Sequence, residues 1–230
     1  NGALVALGFS GNQLLSLLND GTTEGTEFFT GLLIYDHFGA FVRGLLTLFL
    51  VLVIALTVLS GIPDREDGPD FYTLLIGATI GMMIMASANH MLMFFVGIEM
   101  TSVPSYVLVG FLKGRKESSE AAFKYVVYGA GAAGVMLYGI SLLTGILGTG
   151  SLPDMAAALS QILADGSLGE AVPRTVLLAI MMVMVGLAFK LSLVPFHFWC
   201  PDVFEGASAE IAGYLSVASK AAAFALVVRF

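Results

Sequence analysis

Several ionisable side chains lie within or beside long apolar runs of this sequence, and they are its candidates for chemistry. They are Arg43, Glu99, Lys124, Lys190 and Lys220, with His90 and His197 nearby. A charge at the centre of a bilayer costs roughly 2.5 kcal/mol or more, so such residues need a partner, a hydrated cavity or a function. Acids and bases held in such a setting can bind and release protons.

Glu99 lies near the middle of its apolar run, in Phe94–Met100. A carboxyl group isolated in hydrocarbon is neutral, and a nearby cation restores its charge, because desolvation disfavours the ionised form. A group balanced between these effects can load and release protons. The alternatives are a structural ion pair and a protonated side chain bonded to a neighbouring helix.

Lys190 and His197 flank Pro195 in another run. Their seven-residue spacing places both on about the same helix face. Pro195 lacks an N–H and crowds the preceding turn, so we expect the helix to break or kink there. Free carbonyls and water in the break would then form a hydrophilic pocket. Snorkelling of Lys190 and a capping role for His197 are the alternatives.

Three further cations have simpler alternatives. Lys220 precedes eight apolar residues and follows two serines that can hold water, so it is a third candidate. Lys124 follows Glu120 by four residues, which favours an ion pair or snorkelling. Arg43 follows Asp36 by seven residues and is expected to pair with it. Trp199 and Tyr106 are interpreted as anchors at the membrane interface.

Apolar runs long enough to span a membrane carry these residues. About 20 residues of helix cross a bilayer core. Six runs qualify: Phe38–Ser60, Phe71–Ala88, Met91–Leu112, Ala121–Leu147, Arg174–Trp199 and Ala207–Phe230. Ala3–Leu18 is shorter and predicts a truncated span or an interfacial helix. Pro153–Leu163 predicts a short amphipathic helix at the interface.

Composition agrees with a membrane protein, because 57% of the 230 residues are hydrophobic and 12% are charged. Soluble domains average about 45–50% apolar and about 25% charged residues. The net charge of −7 argues against a nucleic-acid partner. The single cysteine excludes a disulfide within the chain. The sequence carries no metal-ligand cluster, nucleophile elbow, dinucleotide fingerprint or other redox-cofactor motif.

Basic residues in short loops predict the orientation. The loop with Lys113, Arg115 and Lys116 should face the cytoplasm, together with the Asp64–Asp70 loop. The segments Asn19–Gly31 and Thr149–Pro173 contain no Lys or Arg and should be external. The chain starts with Asn1 and stops inside an apolar run, so we expect a fragment of a longer protein.

Acids and bases on separate membrane helices, one of them broken, are the pattern of a proton or cation pathway. The sequence resembles a known family, the antiporter-like subunits of respiratory complex I. The resemblance is carried by Ile98–Tyr106, by Ser118–Tyr125, by Gly186–Ala207 (GLAFKLSLVPFHFWCPDVFEGA) and by Ser216–Lys220. The third segment is similar to the N-type (ND-two-type) subunits of NADH–quinone oxidoreductase. Cys200 and the Ala209-Glu210 pair depart from the pattern, and Glu210 adds an acid near the entry loop.

The resemblance implies an all-α, polytopic transmembrane bundle of inverted five-helix repeats, with a broken helix near Pro195. Residues 1–70 would be the preceding helices and residues 71–230 the first repeat, with the second repeat absent. Glu99 would modulate its lysine partner, Lys190 would load protons, and Lys220 would connect toward the centre of the subunit. His197 and Lys124 match relay or supporting positions.

The resemblance also implies a proton-translocating subunit that works beside other membrane-arm subunits in the lipid bilayer. It would hold no cofactor itself, while NADH, FMN, iron–sulfur clusters and quinone would belong to partner subunits. The location would be the bacterial inner membrane, with an organellar membrane as the alternative. Three other functions stay open: an Mrp-type cation/proton antiporter subunit, the related membrane subunit of a hydrogenase or ferredoxin-linked complex, and a structural subunit whose charges only hold helices together.

Overall fold

The computed structural model describes residues 2–20, 25–63, 67–112, 114–165 and 171–230 as a helical bundle with one short hairpin. The elements are α1 (Gly2–Asp20), β1 (Thr26–Phe28), β2 (Leu33–Tyr35), α2 (His37–Ser60), α3 (Gly68–Ser87), α4 (Met91–Val109), α5 (Lys116–Leu147), α6 (Leu152–Asp165), α7 (Ala171–Leu191), α8 (Trp199–Gly206), α9 (Ala209–Tyr214) and α10 (Lys220–Arg229). A π-helical turn, Leu215–Ser219, joins α9 to α10.

The predicted spans are confirmed. Six helical stretches of the described chain are long and apolar enough to cross a membrane: α2, α3, α4, α5, α7 and the continuous stretch Ala209–Arg229. The first helix, α1, packs along α2, where the hydroxyl groups of Ser10 and Thr47 lie 3.2 Å apart. The short helix predicted at Pro153–Leu163 is present as α6. The β1–β2 hairpin was not predicted, and it is a small addition to an all-α bundle.

The helices begin and end where local chemistry satisfies their free backbone groups. Asp36 caps α2 by accepting a 2.7 Å hydrogen bond from the Gly39 N–H. Gly61, at a φ of 75°, ends the same helix in the left-handed conformation that glycine adopts without a Cβ clash. His90 begins α4 by accepting from the Leu92 N–H at 3.0 Å.

The loops gather at two ends of the bundle. At the end called here the hairpin end, Leu33 bridges Ala88 and His90 bridges Ser151. At the opposite end, the Ser118 hydroxyl donates to the Val109 carbonyl at 2.7 Å. These two groups of loops match the predicted alternation, and the assignment of one end to the cytoplasm stays a prediction. Residues 21–24, 64–66, 113 and 166–170 of the predicted loops lie outside the described residues.

Small residues bring the helices into close contact. A Cβ atom on Gly81 would lie 2.6 Å from the Thr101 backbone nitrogen, where α3 crosses α4. A Cβ atom on Gly139 would lie 2.7 Å from the Ala179 carbonyl oxygen, where α5 crosses α7. Membrane helices associate through such small residues because lipid provides no hydrophobic drive between them.

The broken helix predicted near Pro195 is present. Its first part, α7, ends at Leu191, and residues 192–198 are not helical. Ser192 has a φ of 57°, a left-handed conformation that terminates a helix. Helical φ and ψ angles are also disfavoured for a residue that precedes a proline. The expectation that Lys190 and His197 share one helix face is therefore wrong.

Candidate functional site

Lys190 lies at the C-terminal end of α7, buried against α4. Its side chain is a charged group inside the bundle, and the residue is only 1% exposed. Its ammonium group donates a 3.0 Å hydrogen bond to the Ser102 hydroxyl oxygen. Ser102 donates in turn to the Ile98 carbonyl at 2.7 Å. The serine hydroxyl therefore has a backbone acceptor for its proton and a free lone pair for the lysine.

Glu99 lies one helical turn before Ser102, on the same face of α4. It is half-buried, and its carboxyl group is close enough to Lys190 for the two charges to interact. The ion pairs among the described residues do not include Glu99 with Lys190. Glu99 and Lys190 are therefore coupled through space, with Ser102 beside both.

Lys220 reaches the break in α7 from the neighbouring helix. It follows the π-helical turn directly, and such turns are frequent at functional sites. Its ammonium group donates a 2.6 Å hydrogen bond to the Ser192 hydroxyl oxygen. The same nitrogen lies 5.6 Å from the centre of the Trp199 ring, within cation–π range. The break thus supplies both a hydroxyl acceptor and an aromatic face.

These residues form one continuous set, called here the polar track: Glu99, Ser102, Lys190, Ser192 and Lys220. The charges of Lys190 and Lys220 also interact. The sequence predicted the acid and both lysines, but it missed the two serines. The three-residue spacing of Ser102 from Glu99 was the available signal for the first. Ser192 gave no such signal, because its role depends on where the helix breaks.

Aromatic rings close one side of the polar track. Tyr125 stacks on Trp199 at 4.6 Å and meets Tyr106 edge-on at 4.7 Å. The Trp199 indole donates to the Phe189 carbonyl at 3.2 Å. Trp199 is 3% exposed, so its interpretation as an interface anchor is wrong. The rings give this side of the track an apolar wall, and charges interact more strongly in apolar surroundings of low dielectric constant.

His197 and Lys124 lie apart from the polar track. The His197 ring stacks on Phe198 at 4.7 Å, and its Nδ1 atom is buried without a hydrogen-bond partner in the described part of the chain. Lys124 forms the predicted ion pair with Glu120 at 2.7 Å, and a second one with Asp202 at 3.0 Å. No hydrogen bond or ion pair among the described residues joins either side chain to Lys190 or Lys220. Their roles in a pathway stay predictions.

A half-buried acid and two lysines thus lie beside a broken helix, and comparison with known sequences identifies the family. Residues 88–230 match the family model described as NADH:quinone oxidoreductase/Mrp antiporter, TM. This chain belongs to that family. The resemblance found in the sequence is therefore confirmed, and so is the membrane-bundle fold.

Named relatives give the same assignment. NADH-quinone oxidoreductase subunit N 2 of Chloroherpeton thalassium is 39% identical over 207 residues, which cover 89% of this chain and 39% of the relative. A chain of Thermus thermophilus respiratory complex I with bound aureothin superposes with a TM-score of 0.75 and 32% identity, covering 99% of this chain and 47% of that one. The Mrp complex of Dietzia sp. has the same fold, with a TM-score of 0.71, 21% identity, and coverage of 97% and 43%.

The chain spans about two fifths of the length of the curated relatives that it matches, 39% of the first. Bacterial relatives and six apolar helices identify it as a multi-pass protein of the bacterial inner membrane, as the sequence predicted. Similar chains are found in multi-subunit membrane complexes. The division of this family member into residues 1–70 and 71–230 stays a prediction.

One predicted ion pair of this family member has a different partner. Asp36 does not pair with Arg43. Arg229, at the end of α10, binds the two Asp36 carboxylate oxygens at 2.6 and 2.7 Å. Burial raises the pKa of Asp36, but the hydrogen bonds from Arg229 and from the Gly39 N–H outweigh it and hold the pKa below its usual value. The pair fastens the end of α10 to the start of α2.

Glu210 lies at the opposite end of the bundle, in the first turn of α9. It is only 6% exposed, and its Oε2 atom has no hydrogen-bond partner in the described ranges. One turn later, the hydroxyl group of the buried Tyr214 lies 2.7 Å from that of Thr79. The sequence identified Glu210 as an additional acid, and the structure places it in the protein interior. The parts of the chain that the structure describes contain no cluster of metal-binding side chains.

Proposed function

We propose that this chain is part of a membrane-arm subunit of a NADH–quinone oxidoreductase, in which buried glutamate and lysine residues couple electron transfer to proton translocation. The observation that carries the proposal is the buried Lys190, whose ammonium group bonds to a hydroxyl oxygen and forms no ion pair with a carboxylate of the described residues. A charged side chain within a membrane usually pairs with an opposite charge or with backbone carbonyls. Lys190 instead has Glu99 nearby without direct contact, so its charge responds to changes in the surroundings.

The mechanism follows from this spacing. A proton or charge that arrives near Glu99 changes the attraction between its carboxylate and the Lys190 ammonium group. Because the surroundings are apolar, the change is felt strongly at the lysine. When Lys190 releases its proton, the repulsion that Lys220 feels falls, since the two charges interact. Ser102 and Ser192 hold the two ammonium groups in place during these steps.

The redox chemistry belongs to other subunits in this proposal. NADH, FMN, iron–sulfur clusters and quinone would bind to those partners, and this chain would bind none of them. Its own partners would be further membrane-arm subunits and the lipid bilayer. The support is that the relatives named above carry the name NADH-quinone oxidoreductase or belong to respiratory complex I.

The test replaces Lys190 by Met in the full protein. Proton pumping into inverted membrane vesicles, followed with a pH-sensitive dye, should be abolished or sharply reduced while the complex still assembles. Lys116→Met is the matched control, because Lys116 is an exposed lysine at the start of α5. Wild-type pumping by the Lys190→Met protein would remove Lys190 from the pathway.

An Mrp-type antiporter subunit is the second candidate, because the Dietzia Mrp complex shares the fold. The two functions differ in their energy source and in their partners. Co-purification with flavin and iron–sulfur subunits, and pumping driven by NADH, support the oxidoreductase. Acidification driven by a Na⁺ gradient without NADH supports the antiporter. Unchanged transport after neutralising Glu99, Lys190 and Lys220 in turn would leave only a structural role.

A further inference from the structure

A cavity of about 330 Å³ lies at the hairpin end of the bundle, and its lining shares no residue with the polar track. The β1–β2 hairpin forms one side of it, and α2 and α3 form the other. Its polar lining includes Arg43 from α2 and Ser87 from the end of α3. The proposed function uses neither residue.

Three polar atoms of this cavity lack hydrogen-bond partners in the described part of the chain. The Nε and Nη2 atoms of Arg43 are buried, and neither has a hydrogen-bond partner among the described residues. The same is true of the Ser87 hydroxyl, in a residue that is 4% exposed. Buried donors without acceptors are rare, because each one costs desolvation free energy that no hydrogen bond returns. Both residues line the same cavity, where one bound acceptor could satisfy all three donor atoms.

The Arg43 guanidinium group also forms no ion pair with a described carboxylate, although the charge of Asp36 is near enough to interact with it. The nearest predicted partner, Asp36, is bound by Arg229 through both carboxylate oxygens. Glu27 on the hairpin accepts from the Asn89 side chain at 3.3 Å. Arg43 itself lies over the Tyr35 ring, with 4.9 Å between its Cζ atom and the ring centre. Cation–π contact orients the guanidinium group but gives its Nε and Nη2 donors no hydrogen-bond acceptor.

The rest of the lining is apolar and opens outward. Phe28 and Phe29 of the hairpin are 52% and 72% exposed, and Ile80 of α3 is 46% exposed. In a membrane protein, such side chains at the end of a span face lipid. A ligand that suits this cavity therefore has an anionic head for Arg43 and hydrocarbon for the surrounding walls.

We propose that this cavity binds an anionic phospholipid, with its phosphate oxygens accepting hydrogen bonds from Arg43 and Ser87. A guanidinium group offers parallel N–H donors that match phosphate oxygens in geometry and charge. The acyl chains would lie along Ile80 and the exposed hairpin rings. Basic pockets at the ends of membrane helices bind lipid headgroups for the same reasons. The site is independent of the polar track, so it stands whether or not Lys190 moves protons.

The test measures lipid retention by the full protein, purified in detergent and stripped of endogenous lipid. Native mass spectrometry follows the binding of phosphatidylglycerol, phosphatidylethanolamine and inorganic phosphate in separate titrations. We expect phosphatidylglycerol to bind more tightly than phosphatidylethanolamine, and inorganic phosphate not to bind. Arg43→Gln should weaken phosphatidylglycerol binding by about tenfold or more, since a charge-assisted hydrogen bond is lost.

Two further variants keep the test decisive. Arg115→Gln removes an exposed arginine at the opposite end of the bundle, and it should leave lipid binding unchanged. Ile80→Trp fills the cavity while the guanidinium group stays, and it should weaken binding even if Arg43→Gln fails to fold. Equal binding of the two lipids, binding of phosphate alone, or undiminished binding by Ile80→Trp would each overturn the proposal.

Discussion

Replacing Ser102 by Ala should reduce proton pumping, although the change removes only one oxygen atom from the protein. Ser102 is the hydroxyl acceptor for the buried Lys190 ammonium group, at 3.0 Å. In the Ser102→Ala protein the ammonium group keeps its burial and loses this acceptor. Glu99, one turn away, would then be the nearest negative group without direct contact.

The size of the effect follows from the cost of that lost bond. A hydrogen bond to a charged group contributes about 1.5–3 kcal/mol, and in a buried site most of it is lost when one partner is removed. Each 1.4 kcal/mol is a factor of about ten in an equilibrium. The protonated form of Lys190 therefore becomes roughly ten- to a hundredfold harder to populate, and pumping limited by that form falls by a similar factor.

Ser105→Ala is the matched control for this experiment. Ser105 lies on the same helix, is also fully buried, and donates to the Thr101 carbonyl at 2.5 Å. It has no bond to a lysine, so its loss tests packing and helix effects alone. Pumping in inverted vesicles is measured together with NADH oxidation, so that assembly is checked in the same sample.

If Ser102→Ala pumps at the wild-type rate, the Lys190 contact has no part in proton transfer. If Ser105→Ala loses as much pumping as Ser102→Ala, the effect comes from α4 packing. Ser102→Thr keeps the hydroxyl group, and it should restore most of the activity.

The remaining predictions concern stability. Gly139→Ala forces a Cβ atom to 2.7 Å from the Ala179 carbonyl oxygen and should destabilise the protein by about 1–3 kcal/mol. Gly134→Ala is the control, because its Cβ would lie in open space and should not change the stability. Thermal unfolding in detergent compares the two variants. Asp36→Asn breaks the pair with Arg229 and should cost about 3 kcal/mol at neutral pH. Because the folded-state pKa of Asp36 is lowered, its contribution is complete above its unfolded pKa of about 3.9 and is lost as the pH falls through the folded value. The difference in melting temperature between wild type and Asp36→Asn should therefore be constant from pH 5 to 7 and disappear below about pH 4. A difference that persists in acid would contradict an ion pair between Asp36 and Arg229.

Much of the fold was accessible from the sequence because a bilayer is a simple solvent. A helix needs about 20 apolar residues to cross it, and a charge placed in its hydrocarbon core is costly. Hydropathy alone therefore located the six spans of the described chain, with Glu99, Lys190 and Lys220 within them. The break near Pro195 was predictable for a similar reason, since a missing N–H and a ring clash are local properties of the chain.

The partners of these residues required the tertiary structure. Asp36 had Arg43 within two helical turns, but it binds Arg229, 193 residues away, because α10 ends beside the start of α2. The hydroxyl groups of Ser102 and Ser192 hold the lysines because of how α4, α7 and α10 face one another. Trp199 lies in the interior because α8 packs against α5. Hydropathy specifies that a helix crosses the membrane and which of its residues are costly there. It does not specify which neighbour each face meets, because that depends on close packing between helices distant in the chain.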